Sequence, residues 1–328
     1  MKKQLLIAAV AATMTSVAMA DISISGAAQV NYTNTDFDAV DGVDTNTITH
    51  DFDLKITGKS GATTVVMDIE NTDAAGDAED VKVGGSASTD DVSRAQVKTD
   101  NELNVKNAYL ATSIAGVNVK AGTWFGSDSL LGNGSQTEDQ ISLDTTISGV
   151  KVQYEDNMST SSITLSGSVA GVNLSHEIFD AKTDTSVSGS FGGVNVAYRM
   201  IDNDVDTSDA TSLEISTEMQ GITATYAAID ANEGSTDKTG VTSDAFFGEI
   251  KTGSEIKEAD GFGLSTNVAG NQVTLKSYST MLAAGNVEQD WTKVVVTRPL
   301  ANGSTLEATY TDKDAVSTAL DLELRVKF

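Results

Sequence analysis

The sequence predicts an all-β chain, a closed antiparallel up-and-down transmembrane β-barrel of 16 to 18 strands. Three observations carry this prediction. Apolar and polar residues alternate with period two, a glycine-punctuated unit recurs at unequal intervals, and the final segment sets two unlike rows side by side. In that segment Leu320, Leu322, Leu324, Val326 and Phe328 form one row, while Asp321, Glu323, Arg325 and Lys327 form the other. Side chains two apart share one face of a strand, so such alternation describes a ribbon with one greasy and one wet side.

Composition narrows the function classes. The 328 residues include no Cys, one Pro and two His, and 47 acidic residues against 21 basic ones give a net charge of −26. Without Cys there is neither a disulfide scaffold nor a thiolate-ligated metal, and two His leave no His-rich metal site, so no cofactor or metal is expected. The acidic balance repels phosphate and speaks against a nucleic-acid partner.

In chain order, residues 1–20 come first. Lys2 and Lys3 precede a largely apolar stretch from Leu5 to Met14, and Ala18-Met19-Ala20 supplies a small-x-small cleavage pattern before Asp21. This reads as a secretory signal peptide, because its apolar run is shorter than the ~20 residues of a spanning helix. Residues 21–328 then form one barrel domain. Its first strand places Ile22, Ile24, Ala28, Val30 and Tyr32 on one face. The recurring unit follows at Gly116, Gly149, Gly171, Gly193 and Gly221, at spacings of 33, 22, 22 and 28 residues. A solenoid would hold its period more closely. Each unit reads as a tight hairpin turn entering a strand, since glycine reaches the positive φ that such turns require. Tyr154, Tyr198 and Tyr226 stand five residues past three of these glycines, and His176 takes the same place in a fourth unit.

Short turns near Gly58-Ser60, Gly116, Gly149, Gly171, Gly193, Gly221, Gly270 and Ala301-Asn302-Gly303 alternate with longer connections, which gives eighteen strands. The stretch from Asp244 to Gly261 is open: Ala245-Phe246-Phe247 reads equally as a strand and as part of a folded loop. Short turns at one end and long polar loops at the other describe an up-and-down barrel. Strands of about 8 to 12 residues match the ~9–11 that cross hydrocarbon at a steep tilt. A ring of this size is too wide for side chains to fill. Turned toward lipid, Arg325 and Lys327 would cost ~2–4 kcal/mol each near the midplane, so the charged row belongs inside.

The signal peptide, the opening Asp21-Ile22-Ser23-Ile24-Ser25-Gly26, the stretch from Lys106-Asn107-Ala108-Tyr109-Leu110 through Gly122-Thr123-Trp124, and the last amphipathic strand ending in Phe328 resemble the trimeric general porins of Gram-negative outer membranes. The resemblance implies a water-filled channel for ions and small hydrophilic solutes. It also implies a homotrimer in contact with outer-membrane lipid and lipopolysaccharide. In that family the loop after the fifth strand folds into the pore. The matching stretch here is about 125–140, which would bring Asp128, Glu138 and Asp139 to the constriction. The family has sixteen strands and more aromatic residues and arginines than this chain.

Strand phase selects the other candidates. Lys55, Lys106, Lys120, Lys151, Arg199, Lys276 and Arg325 fall on the inward phase, as do Asp51, Asp53, Asp68, Glu70, Glu177 and Glu307. Such charges set the field at a narrow point, and the net acidity suggests cation preference. Both histidines fall on the lipid phase, which argues against an enzyme. Trp291, Tyr278, Tyr310 and Phe262 are candidates for aromatic girdles. Asp202-x-Asp204-x-Asp206 lacks the glycine and the final glutamate of a calcium loop. The competing reading is a secreted or surface β-rich structural protein of adhesin or surface-layer type, supported by the low aromatic content.

Overall fold

The computed structural model describes residues 21–37, 44–72, 103–125, 136–157, 160–204, 209–231, 246–247, 256–282, 287–314 and 316–328. The expected signal peptide and Asp128 lie outside these residues. The first strands are β1 (Asp21–Phe37), β2 (Thr45–Ser60), β3 (Thr63–Thr72), β4 (Leu103–Ile114), β5 (Val117–Phe125) and β6 (Gln136–Ile147). Then follow β7 (Val150–Asp156), β8 (Ser161–Val169), β9 (Val172–Phe179), β10 (Lys182–Phe191), β11 (Val194–Asn203) and β12 (Ala210–Met219). The last six are β13 (Ile222–Ala231), β14 (Ile256–Val268), β15 (Asn271–Leu282), β16 (Val287–Pro299), β17 (Thr305–Lys313) and β18 (Ser317–Lys327).

Each strand pairs antiparallel with its sequence neighbours, and β1 also pairs with β18, so the 18-stranded sheet closes on itself. Closure satisfies the backbone of both edges, as a hydrocarbon setting demands. The seam is finished by Phe328, whose N–H donates to the Gly26 carbonyl at 3.1 Å while Gly26 N–H donates to the Phe328 carbonyl at 2.9 Å. Gly26 leaves room for the terminal ring: a Cβ there would stand 2.5 Å from Phe328 Cζ. That ring stacks on Phe52 at 5.9 Å.

Eight short turns link the strands at one end. Six use an X-Gly pair with both residues at positive φ: Ala115-Gly116, Ser148-Gly149, Ala170-Gly171, Gly192-Gly193, Gln220-Gly221 and Ala269-Gly270. This is the geometry whose twist matches antiparallel strands. The first turn falls at Gly61-Ala62 rather than Gly58-Ser60, because β2 continues to Ser60. Threonines stitch some hairpins to the next one: Thr145, Thr217 and Thr266 donate through Oγ1 to the carbonyls of Gly116, Gly193 and Gly221 at 3.0, 3.1 and 3.0 Å.

Register carries two rows around the whole ring. One runs Val30–Leu324–Leu306 and Tyr198–Leu213–Ala228, and its large apolar members are exposed, among them Ile24, Ile48, Phe262 and Leu264. The other runs Lys55–Asp68–Asn107 and Thr309–Asp321–Thr33, and is polar for most of its course. The polar row lies on the concave side, where it also packs Phe246 and Phe247.

On the outward row the apolar band ends in an aromatic level and then an acidic one. Tyr198, Tyr226, Phe262 and Tyr310 precede Asp202, Asp230, Asp260 and Asp312 toward the end opposite the short turns. His50, opposite Val30, and His176, opposite Leu165, also stand on this row. His176 Nδ1 is 2.9 Å from Thr185 Oγ1.

Candidate functional site: the inner wall

All seven bases selected by phase lie on strands whose polar row lines the interior. Five of them meet carboxylates. Lys55 Nζ lies 3.4 Å from Asp68, Lys106 Nζ 3.0 Å from Glu70, and Lys151 Nζ 3.9 Å from Asp144. Arg199 clasps Asp184, with Nε donating to its two oxygens at 2.9 and 3.1 Å. Arg325 approaches Asp53 at 3.7 Å across β1, which places the small Ala27 beside Asp53. The elements explain these pairs: directly opposed or diagonal residues on one face lie within reach of long side chains. Glu70 and Lys106 meet where a bulge at Asp68/Ile69 shifts the register.

The other two bases rest on aromatic rings. Lys120 Nζ sits 4.3 Å from the Tyr109 ring centre and 4.0 Å from that of Trp124, which themselves meet edge-on at 6.3 Å. A cation over two ring faces is held by their quadrupoles. Lys276 Nζ donates to the Phe246 carbonyl at 2.7 Å and lies 5.0 Å from its ring.

Strand pairing also places residues that residue type assigned elsewhere. Tyr278 and Trp291 are not girdle residues. They face each other across β15 and β16 on the inward row, stack at 5.8 Å, and Trp291 Nε1 donates to Thr280 Oγ1 at 3.0 Å. Lys313 Nζ lies 4.7 Å from the Trp291 ring, and Lys293 stands directly opposite Lys276. Neither lysine was picked out in advance, although each shares its phase with inward neighbours. Phe262 and Tyr310 do face outward, 65% and 43% exposed.

Both ends of the expected constriction segment, 125–140, are strand, and 126–135 lie outside the described residues. β6 begins at Gln136, so Glu138 and Asp139 lie within this strand, at the register shift between Gly122 and Trp124. Sequence alternation was too weak there to mark the strand start. Phe246 and Phe247, 5% and 1% exposed, pack against Ala227, Ile229, Ala259 and Tyr278 on the inward row. The loss of polar alternation at Ala227, Ile229 and Ala231, followed by a Phe-Phe pair, was the signal for it in the sequence.

No protein-family model and no curated protein sequence matches the chain. Solved structures do. The chain is similar to OccAB3 of Acinetobacter baumannii (TM-score 0.58, 11% identity, 94% of this chain and 100% of that one). It is also similar to OccK9 of Pseudomonas aeruginosa (TM-score 0.61, 12% identity, 94% and 98%). A triple mutant of the Rhodopseudomonas blastica porin aligns with TM-score 0.55 at 13% identity, over 94% and 100% of the two chains. The chain has the porin fold.

Proposed function

We propose that the protein is an outer-membrane porin, a water-filled channel for passive diffusion of ions and small hydrophilic solutes. One observation carries the reading: a closed ring exposes an apolar row outward and encloses a charged one. Hydrocarbon accepts the first, and water inside the ring solvates the second. The barrel sits in the bacterial outer membrane, with its aromatic level at an interface and its outward acids beyond it, beside lipopolysaccharide. The porin fold of the structural neighbours supports this placement. A surface adhesin has no use for a continuous outward apolar row on a closed ring.

Passage through the bore involves no bond-making, and both histidines stand on the outward row. Assembly as a homotrimer follows from the resemblance to general porins. Cation preference is assigned to the mouth. Along the wall Lys55, Lys106, Lys151, Arg199 and Arg325 are matched by carboxylates, whereas Asp202, Asp230, Asp260, Asp290 and Asp312 gather on the outward row at one end. Asp128, Glu138 and Asp139 are proposed to add to the acidity near the β5–β6 connection.

The test is reconstitution in a planar bilayer under a KCl gradient. Discrete conductance steps with a cation-favouring reversal potential are expected, and a protein that inserts without conducting refutes the assignment. Charge reversal at Glu138 and Asp139 is expected to weaken the preference.

A further inference from the structure

We infer that Phe246 and Phe247 form a fixed aromatic wedge that narrows the bore from the β13–β14 side and withholds Lys276 from permeating ions, so that this pair sets both conductance and charge selectivity. The inference rests on the channel reading.

The seat for the wedge is built into the wall. On β14 the inward residues are Ala259, Gly261 and Gly263, and on β13 Ala227 and Ile229 stand beside them. This recess of small side chains accepts two rings. A Cβ on Gly263 would lie 2.9 Å from Phe246 Cε2, so the absence of a side chain there is what admits the ring. Tyr278 receives both phenylalanines edge-on, at 6.4 Å from Phe246 and 5.5 Å from Phe247. Without the wedge an apolar strip from Ala210 to Tyr278 would line an aqueous interior. Covering it gains the usual hydrophobic stabilisation.

The wedge is also tied down by charge. Lys276 and Lys293 are opposite neighbours on β15 and β16, a like-charged pair that destabilises when both are free. Glu214 on β12 stands on the same row, opposite Ala227. The Phe246 carbonyl takes the Lys276 ammonium at 2.7 Å, and the ring lies beside it. The segment therefore occupies the side chain that would otherwise project, with Lys293, into the path of ions. Removing it widens the bore and adds a second ammonium to that path.

The test uses the full chain in planar bilayers in KCl. The F246A/F247A double variant is expected to raise single-channel conductance by about 1.2- to 2-fold and to move the reversal potential toward anions, since pore diameter and lining charge govern both. Adding Lys276→Met to that variant is expected to keep the conductance gain and cancel the selectivity shift. Gly263→Val, whose branched side chain takes the place of the Phe246 ring edge without deleting an aromatic ring, is expected to move both readouts in the same direction and decides the matter if the double variant does not fold. Conductance and reversal potential equal to the parent's in the folded variants overturn the wedge. A parent that forms no channel overturns the porin reading itself.

Discussion

At the residue scale the hairpin turns carry a cost the chain has retained. Ala115, Ser148, Ala170, Gln220 and Ala269 hold φ between 50° and 54°, a region that costs an ordinary L-residue roughly 1–2 kcal/mol. Asn tolerates it better. Ala115→Asn is therefore expected to stabilise the folded barrel by about 0.5–1 kcal/mol, read as a higher midpoint in urea unfolding from detergent. Gly26 behaves oppositely. Its Cβ position is already filled by the Phe328 ring and the Asp53 carbonyl, each 2.5 Å away. Gly26→Val should lower thermal stability markedly and shift the heat-modifiable band on gels, while an unchanged melting profile would mean the ring is free to move. The glycines of these turns were legible because their repetition is a sequence pattern. The positive φ of their Ala, Ser and Gln partners was not, since nothing in those residue types announces it.

At the scale of elements, cross-strand pairing decides which charges matter. Arg199 and Asp184 sit on β11 and β10, with side chains 29% and 13% exposed, and the guanidinium meets both oxygens. Charge-assisted contacts of this kind contribute about 1.5–3 kcal/mol. A double-mutant cycle with Asp184→Asn and Arg199→Met is expected to show coupling in that range, well above that of the more exposed Lys55–Asp68 pair. Period two was enough to set every one of these bases on the polar row. It was equally enough to place Tyr278 and Trp291, which share their phase with Lys276 and Lys293. Reading them as girdle residues let residue type outweigh position, because aromatic rings suit an interface and a wall equally. The start of β6 was hidden for a different reason: Gln136 to Gln140 is polar throughout, so neither face stands out.

At the scale of the whole molecule, the net charge of −26 says little about the wall, where opposite signs stand side by side. Selectivity that arises at an acidic mouth acts through screened fields. The Debye length falls from ~10 Å at 0.1 M salt to ~3 Å at 1 M. The proposed cation preference is thus expected to decline steeply between those concentrations, measured as reversal potential at a constant gradient ratio. A preference independent of salt would move its origin into the bore. The barrel architecture and its strand number followed from turn counting, whereas the inward Phe246-Phe247 segment depends on a recess that only folding assembles. The seam between β1 and β18 has a kinetic consequence. Its partners, such as Ala28 and Val326, are separated by nearly the whole strand-forming chain. Contacts so remote in sequence form late. Until they do, the sheet carries two unsatisfied margins, each a template for another copy. An unfinished ring is therefore the aggregation-prone species until Phe328 has locked the circle.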